Sequence, residues 1–478
     1  RCRQHVGAAE REDIQLLPMK ILVVGSGARE HALAWKLGRE PGVGEVVCAP
    51  GNAGSRQVAR RHALDVSDPA AILALADGEA ADLTVIGPEL PLALGVQDLF
   101  AARDRLLFGP SRVAAQLESS KAFAKDFMAR HDVPSARFRV CDRADEALAA
   151  VAGPEFGFPV VIKADGLAAG KGVTVAPDRA AAEQAVRDAM LDHRFGAAGH
   201  RVVIEECLVG EEASFFAICD GRQAVGLPTA QDHKRAFDGD VGPNTGGMGA
   251  FAPSPLVTPD VERRIRREIV DPVLDGLAGE GHPYRGFLYV GLMLTADGPR
   301  VIEFNVRLGD PEAQVVLPMV RDDLAPLLEA AARGALETTS CDQTGEPHVG
   351  VVLASGGYPG SYETGEPIEG LDDASGLEGV LIFHAGTEVR DDTVVTTGGR
   401  VLTAVGSGVD IAEAIERAYA AEARIRFARK QVRTDIGRKA LRSVPGDRSQ
   451  ETGDRRKPEG FASFGSDGMG RGEAGRDG

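Results

Sequence analysis

The sequence predicts an α/β and α+β multidomain protein: an N-terminal doubly wound parallel-sheet domain, a central domain with a flexible flap subdomain, and a small C-terminal α+β domain. Three observations carry this. The chain has 478 residues, 43% hydrophobic and 26% charged, which is ordinary globular composition at a length where single cores stop growing. An apolar strand, Lys20 to Val24, runs into Gly25-Ser26-Gly27 and an amphipathic helix from about Arg29 to Leu37, the strand-turn-helix opening of an α/β domain. From Ser119 the texture changes to short strands broken by glycine loops.

The elements follow in order. Val46 to Ala49 and Leu83 to Ile86 read as further strands that end in the turns Pro50-Gly51-Asn52-Ala53-Gly54 and Gly87-Pro88-Glu89; ligands of open parallel sheets sit at such strand ends. A helix is expected over Ala122 to Arg130, then strands at Val160 to Lys163, Gly172 to Ala176 and Val202 to Glu206. Asp232 to Gly249, rich in Gly, Asp and Asn, reads as a long loop, and loops of that length are usually functional. A helix near Pro259 to Leu277 precedes strands at Phe287 to Leu294 and Arg300 to Asn305. Strands at Val349 to Ala354, Val380 to His384 and Arg400 to Val405, with a helix from Ile411 to Arg426, make the third domain. Met19 is read as the true start of the protein, with an upstream extension before it, and residues 443–478, with little apolar content, are expected to be disordered.

A net charge of -17 repels phosphate backbones and anionic membranes, so neither nucleic acid nor a membrane is an expected partner. No apolar run is long enough to span a bilayer. The six cysteines are scattered without a Cys-x-x-Cys pair, which fits reduced thiols in a cytoplasmic protein.

Five segments and Lys121 carry the chemistry. Gly25-Ser26-Gly27-Ala28-Arg29-Glu30 has Glu30 where a dinucleotide fingerprint needs its third glycine, so no nicotinamide cofactor is expected. An anion site on exposed N–H groups at the helix start and a tight turn without ligand both stay open. Lys163 to Gly172 is one residue short of a P-loop, and Gly172 replaces the hydroxyl residue that would hold Mg. Strands on both sides make it a glycine flap that closes over a triphosphate, with Lys163 as the positive charge. Glu205 and Glu206, followed by Cys207 to Glu212, form either a solvated strand exit or a hinge that reads adenine and ribose. In Val301 to Glu312, a period of two puts Glu303, Asn305 and Arg307 on one face. The first two are hard donors suited to Mg, and Arg307 suits a transferring phosphoryl group; an ordinary polar strand face is the alternative. Asp232-His233-Lys234-Arg235 is a phosphate or carboxylate contact or a surface cluster, and Lys121 opposes the dipole of its helix, as beside a local anion or in open solvent.

Taken in order, Gly-Ser-Gly-Ala-Arg-Glu-His (25–31), Pro-Gly-Asn-Ala-Gly (50–54), Gly-Pro-Glu (87–89), the 163–172 loop, Gln-Asp-His-Lys-Arg (231–235), Gly-Pro-Asn-Thr-Gly-Gly-Met-Gly-Ala (242–250) and the segment around Glu303 closely resemble the phosphoribosylamine-glycine ligase family of the ATP-grasp superfamily, from about Met19 to Leu441. The resemblance implies an extension at 1–18, a phosphoribosylamine-binding domain at 19–119, an ATP-grasp domain at 120–332 with its flap at about 136–208, a C-terminal domain at 333–442 and a tail at 443–478. It implies Lys121, Lys163, Gly170 and Lys171 on the phosphates of ATP, Glu205 and Leu208 near adenine, Glu212 on ribose, and Mg²⁺ or Mn²⁺ on Glu303 and Asn305. Arg307, Lys163 and Asp310 are then catalytic. Gly25, Gly27, Arg29, Asn52, Gly54, Glu89, Asp232, Lys234, Arg235 and Arg307 are then substrate contacts. The implied reaction joins glycine to 5-phosphoribosylamine through glycyl phosphate, giving glycinamide ribonucleotide, ADP and phosphate in purine biosynthesis, and the enzyme is expected to be a cytoplasmic monomer. Two positions depart from the family pattern: Leu308 replaces a phenylalanine and Thr434 a lysine. A related carboxylase or transformylase would share the ATP parts and differ in the acceptor, and a non-catalytic nucleotide module would bind ATP without turnover.

Overall fold

Ile21, Leu22, Val23 and Val24 are completely buried, as the central strand of a parallel sheet covered on both faces must be. The computed structural model describes residues 18–167 and 172–442; the expectations for residues 1–17 and 443–478 lie outside the described residues. The strands β1 (Met19–Gly25), β2 (Val43–Pro50), β3 (Arg60–Arg61), β4 (Leu83–Ile86) and β5 (Leu107–Phe108) form a parallel sheet of order β3-β2-β1-β4-β5. The order reverses at β1, so the turns after β1, β2 and β4 meet at the switch point where open parallel sheets bind ligands. The helix expected from Arg29 spans Ala28–Leu37.

Next come β6 (Phe138–Cys141), β7 (Val160–Ala164), β8 (Val173–Ala176) and β9 (Val202–Glu206), an antiparallel sheet of order β6-β9-β7-β8. Val160, Ile162, Val202 and Ile204 close a small separate core beneath it. The chain continues through β10 (Glu211–Asp220), β11 (Ala224–Gly226), β12 (Gln231–Asp232), β13 (Arg235–Phe237), β14 (Val241–Asn244), β15 (Gly249–Ala252), β16 (Arg285–Thr295) and β17 (Gly298–Asn305). A second antiparallel sheet has the order β11-β10-β16-β17.

The third region contains β18 (His348–Ser355), β19 (Val380–His384), the hairpin β20 (Thr387–Arg390) and β21 (Thr393–Thr396), β22 (Arg400–Ser407) and β23 (Lys430–Gln431). Its sheet, β12-β15-β18-β22-β19 with β23 on β18, takes in two strands from residues 231–252. The segment Asp232 to Gly249 is therefore not the open loop its composition suggested. It carries the hairpin β13–β14, pairing Arg235 with Asn244 and Phe237 with Val241. The hairpin is held by a distant residue: the fully buried Arg433 donates from Nη1 to Arg235 O at 3.0 Å and to Asp240 Oδ1 at 2.9 Å.

The N-terminal and C-terminal regions meet at Gly54, between the helix Ala28–Leu37 and β19. A Cβ there would fall 2.4 Å from His31 Cε1 and 2.5 Å from His384 Cδ2, and both rings are buried. Gly54→Ala is expected to cost roughly 2–3 kcal/mol by overpacking, read from urea unfolding.

Candidate active site

The two antiparallel sheets face each other across a cleft of about 500 Å³. One wall is β17 and the turn after it, which bring Glu303, Asn305 and Arg307 to the cleft. Opposite, Lys163 near the end of β7 donates from Nζ to Ile302 O at 2.9 Å and lies 2.9 Å from Glu205 Oε1. Lys125 Nζ lies 3.0 Å from Glu205 Oε2, so one buried carboxylate orders two lysines. Burial pulls the Lys125 ammonium down to about 8, against the attraction of Glu205. Lys121 opens the helix Lys121–Arg130, capped by Ser120 Oγ accepting Phe123 N–H at 3.1 Å, and its Nζ donates to Gly166 O at 2.9 Å. Burial pushes the Glu303 carboxyl up, but Lys234, Lys163, Lys121 and Arg307 outweigh it and hold it below the usual range. The anionic form of Glu303 is thus the stable one.

Arg307 is clamped by carboxylates. Its Nη2 lies 2.8 Å from Glu118 Oε1, its Nε donates to Glu89 Oε2 at 3.3 Å, and Nη2 also donates to Asn305 Oδ1 at 3.3 Å. Glu118 Oε2 accepts Val306 N–H at 2.7 Å. Burial pushes the Glu118 carboxyl from 4.5 to about 7 against the pull of Arg307, with Glu89 adding to the rise. The native state thus retains a proton that the unfolded chain releases lower. The stabilisation linked to that proton is complete below pH 4.5 and is lost as pH rises through about 7. Glu118→Gln is expected to reduce the downward slope of unfolding free energy between pH 4.5 and about 7, measured by urea unfolding across a pH series.

A second charged group lines the cleft: Asp232, Lys234, Glu312 and Tyr289. Burial raises Asp232, and it raises Glu312 to about 7, with Asp232 adding to the effect. Burial opposes the charge on Lys234, but Asp232 and Glu212 hold its ammonium well above the ordinary value. From the C-terminal sheet, Arg400 and Tyr358 reach the same cleft. Burial raises the Asp310 carboxyl, and Arg400 and Arg29 outweigh that and keep it ionised.

The glycine turn at Gly25–Gly27 is filled by the chain itself. Gly27 N–H donates to Glu30 Oε2 at 2.6 Å and Arg29 Nε to Glu30 Oε1 at 2.7 Å. A Cβ at Gly25 would lie 2.5 Å from Glu30 Cγ, and one at Gly87 2.1 Å from Glu30 Oε1. These glycines make room for a carboxylate that caps its own helix, which corrects the idea of a Gly27 N–H open to an anion. A hollow of about 330 Å³ beside the turn is lined by Gly25, Gly27, Arg29, Asp65, Pro88 and Asp310. Asn52 is engaged wholly with protein: Nδ2 donates to Ser26 O at 2.9 Å and His384 O at 2.6 Å, and Oδ1 accepts Ser55 N–H at 3.0 Å. Asn52 and Gly54 therefore shape the turn from behind.

Of the residues singled out in the sequence, Arg29, Glu89, Lys121, Lys163, Glu205, Asp232, Lys234, Glu303, Asn305, Arg307 and Asp310 share the main cleft. Leu208, Glu212 and Arg235 are not among its lining residues. Glu212 meets it at one remove, 2.7 Å from Lys234 Nζ, and Arg235 donates to Gly242 O at 2.8 Å within its hairpin. Gly170 and Lys171 lie outside the described residues. Sequence reasoning missed Glu118, Lys125, Glu312, Tyr358 and Arg400. Lys125 carried a usable signal, since it follows Lys121 by four positions on one helix face.

Two antiparallel sheets gripping a lysine-lined cleft, with a glutamate and an asparagine on the facing edge strand and an arginine in the turn just after it, define an enzyme of the ATP-grasp class, which uses ATP. Family models match three consecutive stretches: the N domain of phosphoribosylglycinamide synthetase at residues 19–118, its ATP-grasp (A) domain at 119–313 and its C domain at 348–439. The chain is 51% identical over 426 residues to the phosphoribosylamine–glycine ligase of Allochromatium vinosum, covering 88% of this chain and 99% of that one. It is 50% identical over 432 residues to that of Pseudomonas aeruginosa, covering 90% and 100%. The solved phosphoribosylamine–glycine ligase of Thermotoga maritima superposes with a TM-score of 0.77 at 35% identity, over 87% of this chain and 99% of that one. The chain belongs to the phosphoribosylamine–glycine ligase family. A biotin carboxylase domain from Hydrogenobacter thermophilus, at 18% identity and a TM-score of 0.66, shares the fold.

Proposed function

We propose that this enzyme joins glycine to 5-phosphoribosylamine with ATP, forming glycinamide ribonucleotide, ADP and phosphate in purine biosynthesis. The observation that carries the reading is the meeting of Lys121, Lys163, Glu303, Asn305 and Arg307 in one cleft of a chain that matches its relatives almost end to end. Lys121 and Lys163 bind the phosphates of ATP. Ala124, Lys125 and Met128 stand beside them in the cleft wall, where apolar contact suits the adenine.

Among the described residues, no group of three or more His, Cys, Asp or Glu side chains is arranged to hold a metal alone. One ionised carboxylate and one amide oxygen fit Mg²⁺ or Mn²⁺, which take few protein ligands and complete their shell with nucleotide phosphates and water. Glu303 and Asn305 would hold the ion, which when bound neutralises phosphate charge.

Glycine's carboxylate oxygen attacks the γ-phosphorus and the bond to ADP breaks. Arg307, fixed by Glu118 and Glu89, faces the phosphoryl group with its charge already oriented, so little reorganisation is needed. The amine of phosphoribosylamine then attacks the acyl carbon of glycyl phosphate. The carbon–oxygen bond to phosphate breaks, and the proton lost by the amine leaves with phosphate or solvent. Water has to be kept from the acyl phosphate, which it would otherwise hydrolyse. Cys48, Cys141, Cys207, Cys219 and Cys341 are free thiols, which suits a reducing cytoplasm; among the described residues no helix is long and apolar enough to cross a membrane. The enzyme acts as a monomer, which light scattering checks against the mass of one chain. Offering glycine, bicarbonate or formate with phosphoribosylamine and following ADP release tests the assignment. Glycine alone is expected to support turnover, and turnover with bicarbonate or formate instead would overturn it.

A further inference from the structure

The phosphate of the ribosylamine substrate needs a local cation in a chain of net charge -17, and Glu30 already takes the Gly27 N–H of the glycine turn. The cleft arginines differ in what they have free. Arg307 donates from Nε, Nη1 and Nη2 to Glu89, Leu308 O and Asn305, and Arg29 donates from Nε to Glu30 and from Nη1 to Leu308 O. Arg400 is held along one side only. Its Nη1 donates to the carbonyls of Gly246 and Asp310 and lies 3.4 Å from Asp310 Oδ1. Among the described residues, Nε and Nη2 of Arg400 make no hydrogen bond, which leaves one complete edge of the fork.

A second donor converges on the same spot. Tyr358 Oη accepts Gly246 N–H at 2.9 Å, and among the described residues its own proton is donated to nothing. Gly246 packs between the two: a Cβ there would fall 3.0 Å from Arg400 Cζ, so glycine lets the guanidinium lie against the main chain. Asp310, which Arg400 touches, borders both the main cleft and the glycine-turn hollow. Its Oδ1 accepts from Gln314 Nε2 at 2.8 Å, and it sits on the Nη1 side, away from the free edge.

We propose that the Nε–Nη2 edge of Arg400, with the Tyr358 hydroxyl, binds the phosphate monoester of the ribosylamine substrate. The fork matches two phosphate oxygens, and the C-terminal region thereby supplies a substrate contact to a cleft otherwise built by the first two domains. The inference rests on the ligase reading above and extends it to the acceptor's recognition.

The test is a KM split with purified full-length enzyme. Arg400→Gln is expected to raise KM for phosphoribosylamine about 100-fold, with KM for ATP and for glycine within about threefold of wild type. Tyr358→Phe raises the same KM about fivefold and Arg400→Lys falls between the two. Ribose 5-phosphate, a stable analogue, inhibits wild type competitively and loses that inhibition in Arg400→Gln, whereas ribose inhibits both weakly and alike. Should Arg400→Gln not fold, because it also releases Gly246 and Asp310, the Tyr358→Phe and Arg400→Lys values decide. Unchanged ribose 5-phosphate inhibition in those variants, or a rise confined to KM for glycine or ATP, overturns the proposal. Should wild type show no glycine-dependent turnover, the ligase reading falls. Calorimetry of ribose 5-phosphate binding to wild type and Arg400→Gln then still decides the phosphate site.

Discussion

Glu303→Gln is expected to lower kcat/KM by about 100- to 1,000-fold while leaving the fold intact. Glu303 sits among Lys121, Lys163, Lys234 and Arg307, which hold its carboxyl in the anionic form despite burial. The substitution preserves shape and removes one negative charge, the charge proposed to hold the divalent ion beside the phosphates. Four nearby cations lose a neutralising partner, so a small loss of stability accompanies the change. Because β17 is secured by main-chain pairing along β16, no structural collapse follows. Steady-state kinetics with thermal unfolding separates the two effects, and normal turnover in this variant would remove Glu303 from the site.

Arg307→Met is expected to abolish nearly all activity and to destabilise the protein as well. The loss of an oriented charge facing a phosphoryl group lowers kcat by about 100- to 1,000-fold. The stability cost arises elsewhere and is read at about pH 8, above the value of about 7 at which Glu118 ionises: the carboxylate is buried with Arg307 Nη2 at 2.8 Å, and removing one member of a buried pair costs roughly 3 kcal/mol. Adding Glu118→Gln to Arg307→Met is therefore expected to recover most of the stability and none of the activity. Urea unfolding of the two single variants and the double variant checks this. An additive pair of losses would mean that Glu118 and Arg307 act independently.

The parts of the site visible in the sequence are those whose local pattern carries their chemistry. Alternation along residues 301–307 put Glu303 and Asn305 on one face, and the glycines after Lys163 marked a turn between strands. What stayed hidden depends on contacts between distant segments. Glu118 and Val306 are joined across 188 positions, and nothing near Glu118 distinguishes it from a solvated helix residue. Arg400 opens β22 from a Gly-Gly turn, and its meeting with Gly246 and Asp310 comes only from the pairing of β15, β18 and β22. The glycine turn after β1 was legible as a turn and misleading as an anion cradle. Backbone N–H groups at a helix start attract any carboxylate, and Glu30, three residues into the helix, is already there. The hairpin at 235–244 was unreadable because Arg433, far along the chain, supplies what its own short strands lack.

The central claim, that glycine is activated as an acyl phosphate and captured by phosphoribosylamine, is tested most directly by oxygen transfer. Glycine carrying ¹⁸O in both carboxylate oxygens is incubated with ATP, divalent ion and phosphoribosylamine, and the products are analysed by mass spectrometry. The account predicts one ¹⁸O in the released inorganic phosphate and one in the amide of glycinamide ribonucleotide. Phosphate free of label alongside labelled product would contradict the acyl phosphate, and the absence of any glycine-derived product would contradict the ligase assignment itself.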